Sequence, residues 1–223
     1  MDNTQSDGYQ TKPPSYFSGV RADYVGALPV SSSAAILELG CARGGTGHLA
    51  LQSGKCGRYV GIEMHPEAAA EARKHLTEVL VGDVEHLEFP WPAQSFDALI
   101  LSEVLEHLVD PWTVLGRLAV LLKPGAVVMA SSPNISHYRI VLGLLRGQWE
   151  LEERGAMDRT HLRWFTPASF RQMFEEAGFA VTSVEPLSAP GRKARILNAL
   201  TGNRFRHLFM TQINLHGYRI REP

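Results

Sequence analysis

Little in this chain points to a secreted, membrane-spanning or nucleic-acid-binding protein. It has two cysteines, Cys41 and Cys56, in 223 residues, with neither a Cys-x-x-Cys pair nor a zinc-site spacing. That excludes a disulfide scaffold and predicts reduced thiols in a cytoplasmic setting. No apolar run approaches the ~18 uncharged residues of a membrane span. The first residues, MDNTQSDGYQTKPPS, lack the basic-then-apolar order of a secretory leader and read as a loose arm over 1–15. A net charge of -1 gives no global attraction to polyanions, and no basic domain or RNA-binding module stands out. Repeats and linker-like stretches are also absent, so residues 1–223 are expected to form one domain.

Short apolar runs alternate with helical patterns. Residues 34–39, 58–63, 78–81, 98–101 and 126–130 read as buried strands. Between them, Thr46–Ser53, Pro66–Leu76 and Pro111–Leu122 read as helices, the last stopping at Lys123-Pro124-Gly125. This is the signature of a doubly wound α/β fold with a mostly parallel sheet. The C-terminal third adds an apolar, helix-like insertion over 135–148 within a segment, 134–160, placed to cover a site. It also adds a helix at 167–177 and a strand at 179–184. Residues 209–215 and 218–220 read as a last strand or a bulged pair. The stretch 187–208 is basic, with Arg192, Lys193, Arg195, Arg204 and Arg206. A solvated helical face accounts for it, and an anionic lipid, carrier or nucleic acid is the alternative.

The first strand opens into Leu37-Glu38-Leu39-Gly40-Cys41-Ala42-Arg43-Gly44-Gly45-Thr46-Gly47. A glycine-rich turn between strand and helix lets a ligand approach the backbone. Two registers compete. Gly45-x-Gly47-x-x-Ala50 fits a dinucleotide fingerprint, yet five residues separate it from Leu39, too late for that motif. Glu38-x-Gly40-x-Ala42-x-Gly44 starts at the strand end. The second strand ends in Glu63, 23 residues after Gly40, where a carboxylate can accept both ribose hydroxyls. Asp83 follows the third strand, placed to hold the exocyclic amino group of adenine. One glycine loop is a weak signal, but three acids at the ends of three successive strands are a strong one.

ILELGCARGGTG, YVGIEMHPEA, LVGDVEHLEFPWPAQSFDALILSEVLEHLVDP and LKPGAVVMASSPN, in this order, resemble the class I S-adenosylmethionine-dependent methyltransferases over roughly residues 16–186. The resemblance implies a Rossmann-like, seven-stranded sheet with an antiparallel last strand and helices on both faces. It also implies S-adenosylmethionine as cofactor. Carried over residue by residue, Glu38, Gly40 and Gly44 shape the methionine pocket, Glu63 binds ribose, Met64 covers the adenine, and Asp83 with Val84 meets its edge. Ser102, ending the fourth strand, completes the set. Ala42 stands where the family usually has glycine. A nicotinamide-dependent oxidoreductase on the same fold is the other enzymatic reading, but no tyrosine here has a lysine four residues on. A non-catalytic cofactor-binding module is a third.

After the fourth strand comes Ser102-Glu103-Val104-Leu105-Glu106-His107. This is not the Asn/Asp-Pro-Pro-aromatic signature of amino-methylating enzymes, so an oxygen acceptor is expected. If a helix starts at Glu103, then Glu103, Glu106 and His107 share one face at i, i+3 and i+4, at the strand edge where open α/β sheets bind ligands. Three readings stay open: an acidic first turn matching the helix dipole, His107 with Glu106 as general base, or part of a divalent-cation site. The pattern, with His161 before the Phe165-Thr166 helix start, resembles the metal-dependent O-methyltransferases of the ubiquinone pathway and the small-RNA 2′-O-methyltransferases. That resemblance implies Mg²⁺ or Mn²⁺ held by Glu103, Glu106, His107 and His161. RADYVGALP and DRTHLRWFTPASFRQMFEEAGF are closer to bacterial methyltransferases of polysaccharide and natural-product pathways. They imply a small-molecule, sugar or carrier-linked hydroxyl as acceptor, with RNA as the alternative.

Tyr138, Trp149 and Trp164 are candidate stacking surfaces for that acceptor, with Arg159 beside them. The apolar-plus-Arg stretch 139–146 is a candidate for peripheral membrane contact. Arg21 is the candidate partner of the cofactor carboxylate. Either a monomer or a homodimer would fit.

Overall fold

The computed structural model describes residues 19–189 and 191–220; the arm expected over 1–15 lies outside them. Seven strands form one sheet: β1 (Ala35–Leu39), β2 (Arg58–Glu63), β3 (Glu78–Val81), β4 (Phe96–Ser102), β5 (Leu122–Pro133), β6 (Phe179–Pro186) and β7 (Gln212–Arg219). Their order is β3-β2-β1-β4-β5-β7-β6. β1 to β5 pair in parallel, while β7 runs antiparallel to both β5 and β6. This is the expected Rossmann-like sheet with its reversed last strand.

Side chains alternate between the two faces of a strand, which splits each apolar run into two cores. Leu37, Leu99 and Val128 face one side, with helices α4 (Pro111–Val120) and α6 (Pro167–Glu176) packed on them. Ile36, Tyr59, Ile100 and Met129 face the other, under α1 (Ala22–Ala27), α2 (Gly45–Gln52) and α3 (Pro66–Ala72). Burial on both faces explains why these strands read as continuous apolar runs. The helix starts are specified locally. Asp110 caps α4 by accepting from Thr113 N at 3.0 Å, and Thr166 and Ser169 form a reciprocal capping box on α6.

The sheet order reverses between β1 and β4. The register brings Leu39 beside Leu101 and Ile62, Glu63 beside Val81, and Ser102 beside Ser131. The carboxyl ends of β1 to β5 therefore share one edge, the switch-point crevice where such sheets hold ligands.

Several boundaries differ from expectation. The third helix stops at Ala72 rather than Leu76. Lys123-Pro124-Gly125 is not a break: β5 already begins at Leu122, paired with Phe96, and an irregularity absorbs the proline and glycine before pairing resumes at Val127. The last strand is continuous, and the irregularity falls on β6, between Val181 and Ser183. Within the insertion, only Tyr138–Leu144 is helical (α5). α5 buries none of its residues, and α7 (Arg192–Leu200), in the basic stretch, leaves Ile196, Leu197 and Leu200 exposed.

Candidate active site

A cavity of about 870 Å³ opens at this edge, within the size range of cofactor sites. At one end it is lined by Glu38, Gly40, Ala42, Glu63, Met64, Asp83, Val84 and Ser102. Gly40 (φ +72°) turns the chain out of β1, and its N–H donates to Ile62 O at 2.8 Å. Glu63 then ties two loops together: Oε2 accepts from Ala42 N and Oε1 from His65 N, both at 2.9 Å. Each oxygen keeps a second lone pair for a ligand hydroxyl. Asp83 is fixed in the same way by Glu85 N at 3.0 Å and His86 Nδ1 at 2.8 Å. Glu38 is buried, and its Oε2 accepts from Tyr59 Oη at 2.9 Å. Burial pushes its carboxyl up to about 7, against the opposing effect of the Tyr59 hydroxyl.

One expected cofactor position, Gly44, behaves differently, and Ala42 bears on the glycine the family has there. Gly44 does not line the cavity. It starts α2 with φ +81°, and a Cβ there would sit 3.1 Å from the Ala72 backbone of α3, so glycine is required for packing. Ala42 adopts φ +49°, a conformation glycine would reach without strain.

The other end is built around the segment after β4. Glu103 does not start a helix. It sits at φ +51°, its N–H donates to Ser131 O at 3.1 Å, and the chain passes into a short 3-10 turn, Leu105–His107. The shared helical face expected for Glu103, Glu106 and His107 is therefore not formed. Glu103 instead accepts from Gln212 Nε2 of β7 at 3.0 Å through Oε2.

Glu106, His107 and His161 do converge. One potential ligand atom from each lies within 4.8 Å of the others, and the two imidazole rings are 4.8 Å apart. The main chain accounts for the meeting: Glu106 O accepts from Leu162 N at 2.8 Å and Arg163 N at 3.0 Å, pinning the downstream segment to the 3-10 turn. His107 Nδ1 lies 3.2 Å from Thr160 O, and His161 Nδ1 lies 3.3 Å from Ala156 O. A carbonyl only accepts, so each Nδ1 carries the proton and each Nε2 the lone pair.

Glu106 is 1 % exposed, and among the described residues neither carboxylate oxygen has a hydrogen-bond partner, nor does the buried Oε1 of Glu103. Burial, then the neighbouring Glu103 charge, pushes the Glu106 carboxyl well above the usual carboxylate range, and burial also raises Glu103. Buried acids without donors carry a large desolvation cost that a bound cation would offset. Two imidazoles with Nδ1–H held by backbone carbonyls are also in the tautomer a metal ligand needs. The residues present thus fit a divalent ion at Glu106, His107 and His161, with Glu103 outside that trio.

The four acceptor-contact candidates fall elsewhere. Tyr138, Trp149, Arg159 and Trp164 do not line the cavity. Trp149 and Trp164 pack against each other with centroids 5.4 Å apart, Tyr138 lies 6.1 Å from Phe209, and Arg159 pairs with Glu153 at 3.4 Å. The insertion instead contributes His137, Arg139, Ile140 and the loop 152–158, while β7 contributes Gln212. Arg21, in front of α1, reaches in to donate to Ser102 Oγ at 2.7 Å and Ser131 Oγ at 2.8 Å. No local pattern marked His137, Arg154 or Gln212; each becomes a cavity residue only through the long-range fold.

Sequence and structure comparisons agree with this geometry. A family profile described as a methyltransferase domain matches residues 21–184. A ubiquinone biosynthesis O-methyltransferase of Xanthomonas campestris pv. campestris is 34% identical over 151 residues, covering 65% of this chain and 61% of that protein. The chain thus matches less than two thirds of that relative's length. The protein of the same name from Xanthomonas axonopodis pv. citri is 29% identical over 224 residues, 97% of this chain and 87% of its own length. Among solved structures, a SAM-dependent methyltransferase from Archaeoglobus fulgidus superposes with a TM-score of 0.66 over 92% of this chain and 96% of its own, at 18% identity, a likeness of fold alone. The chain therefore belongs to the methyltransferase domain family, within the class I S-adenosylmethionine-dependent methyltransferases.

Proposed function

We propose that this protein transfers the methyl group of S-adenosylmethionine to a hydroxyl of a small-molecule, sugar or carrier-linked acceptor. One observation carries this reading: a cluster of the buried Glu106 and His161 with the half-buried His107 opens into the same cavity as the glycine loop and its strand-end acids. Glu38, Gly40, Glu63, Met64, Asp83, Val84 and Ser102 are the cofactor residues, with Glu63 accepting from the ribose hydroxyls and Asp83 from the adenine amino group. S-adenosylmethionine supplies an electrophilic methyl group whose transfer needs an acceptor lone pair in line with it. The enzyme's main contribution is to hold that lone pair in place.

At the acceptor end, His107 takes the hydroxyl proton on Nε2 while Thr160 O fixes its ring through Nδ1. The imidazolium that forms would in turn favour the ionised form of Glu106 beside it. Mg²⁺ or Mn²⁺, if held by Glu106, His107 and His161, would take the same Nε2 lone pair and lower the pKa of the acceptor hydroxyl in place of the base. The 134–160 segment acts as the lid, keeping water from the reacting atoms. We further propose that Leu142, Leu144 and Leu145, all exposed, give α5 and its C-terminal turn a peripheral membrane contact beside Arg146. Co-sedimentation with anionic vesicles at no composition would rule that out.

The test is Mn²⁺ binding followed by electron paramagnetic resonance, on protein loaded with S-adenosylhomocysteine. Stoichiometric binding that is lost in His161→Ala supports the metal assignment. No binding, together with full methyl transfer in EDTA, leaves His107 to act without an ion.

A further inference from the structure

Two cationic side chains line this cavity without a counter-charge of their own. Arg139 stands in the first turn of α5, two residues after His137. Arg154 stands near the tip of a tight loop. Glu152 N donates to Met157 O at 2.7 Å, Arg159 N to Glu152 O at 3.0 Å, and Asp158 N to Gly155 O at 3.1 Å. Met157 and Asp158 are buried and anchor the loop, and His161 Nδ1 ties to Ala156 O, so Arg154 is held at the cavity wall. Among the described residues neither Arg139 nor Arg154 has an acid within ion-pair distance, whereas nearby Arg159 and Arg206 pair with Glu153 and Glu185. Glu152 shares the same wall but pairs with neither.

The cavity is therefore polarised. Glu106 and Asp158 are buried and Glu103 is half-buried, and the two arginines are exposed. A neutral acceptor would satisfy the buried end and leave both guanidinium groups without an anion, Arg139 Nε donating only to the neutral Tyr138 Oη at 3.3 Å. An acceptor with a hydroxyl at one end and an anion at the other would satisfy both. A guanidinium presents forked donors that match phosphate and carboxylate oxygens in pairs. His137 lies on the same wall as a third donor.

We propose that Arg139 and Arg154 bind an anionic group of the acceptor, a phosphate, diphosphate or carboxylate set apart from the hydroxyl that is methylated. This rests on the reading above that the acceptor hydroxyl lies at Glu106, His107 and His161. Such a group fixes the acceptor by its far end, so the arginines set substrate choice and KM without touching the reacting atoms. The sugar-phosphate, carrier-linked and acidic phenolic members of the proposed acceptor range are favoured over neutral ones.

The experiment is calorimetric titration of the full chain with pyrophosphate and separately with acetate, with and without S-adenosylhomocysteine. Wild type, Arg139→Gln, Arg154→Gln and the double variant are compared. Expected are saturable pyrophosphate binding to wild type, an approximately tenfold or greater loss in each single variant, and none detectable in the double variant. S-adenosylhomocysteine affinity stays unchanged throughout, which shows that the variants are folded. Acetate binding comparable to pyrophosphate would assign the site to carboxylates, and its absence to phosphates. Equal pyrophosphate affinity in wild type and the double variant overturns the proposal. So does an effect of the double variant confined to anionic vesicles, which would make the arginines a membrane contact. Failure of S-adenosylhomocysteine to bind would refute the methyltransferase reading instead, and the anion titration without it still decides the arginine site.

Discussion

Replacing Glu38 by glutamine should make stability less dependent on pH, because burial holds its carboxyl protonated in the fold. Glu38 lies in the middle of the sheet at 3 % exposure, and burial moves its carboxyl from 4.5 to about 7. Below pH 4.5 the group is protonated both folded and unfolded, and its contribution is fully present. As pH rises from 4.5 to about 7, the unfolded chain releases the proton while the fold still holds it, so stability falls throughout that window. At ~1.4 kcal/mol per pH unit of displacement, the loss approaches ~3 kcal/mol by pH 8. Glutamine keeps the shape and can still accept from Tyr59 Oη, but it never ionises. Urea unfolding should therefore find Glu38→Gln close to wild type at pH 4.5 and more stable by up to about 3 kcal/mol at pH 8, with equal m-values. Parallel stability–pH profiles, or a variant less stable at pH 8, would refute the burial argument.

Three further outcomes follow from the same geometry. Ala42→Gly relieves the left-handed backbone at φ +49°, worth ~1–2 kcal/mol, less ~0.4–1 kcal/mol of added chain entropy in the unfolded state. Its denaturation midpoint should rise slightly, and a clear fall would contradict the assigned strain. Gly47→Ala drives a methyl into Leu76 and Tyr59, so thermal unfolding should show a loss of ~1–3 kcal/mol; an unchanged midpoint would mean that α2 packs more loosely against β2. Arg21→Ala removes the hydrogen bonds to Ser102 and Ser131 and the stacking over Tyr24 at 3.5 Å. It should cost ~1.5–3 kcal/mol and weaken S-adenosylhomocysteine binding, as measured by calorimetry. Wild-type values for both would show that the anchor is dispensable.

The parts of the molecule legible in sequence were those whose chemistry is local. β1 and β2 are short apolar runs that end next to glycine or in an acid, and burial on both faces makes such runs conspicuous. Asp110-Pro111 and Thr166-Pro167 carry their own helix-start chemistry. The spacing of Glu103 to Glu106 and His107 suits a helix, but its N–H is taken by Ser131 O of the neighbouring strand; a tertiary hydrogen bond overrides the local pattern. The aromatic candidates lie outside the cavity lining for a related reason. Trp149 and Trp164 are attractive stacking surfaces in sequence, but sequence does not show that they pack on each other outside the cavity. Gln212 and Ser131 reach Glu103 from β7 and β5, and sequence distance hides that meeting.

The most direct test of the central claim is the turnover of His107→Ala with labelled S-adenosylmethionine and a hydroxyl acceptor that the wild type methylates. The account predicts a fall of ~10²-fold or more, the scale of a lost general base, with S-adenosylhomocysteine affinity unchanged and the label in the wild-type product on oxygen. Near wild-type turnover, or label on nitrogen or carbon, would contradict it.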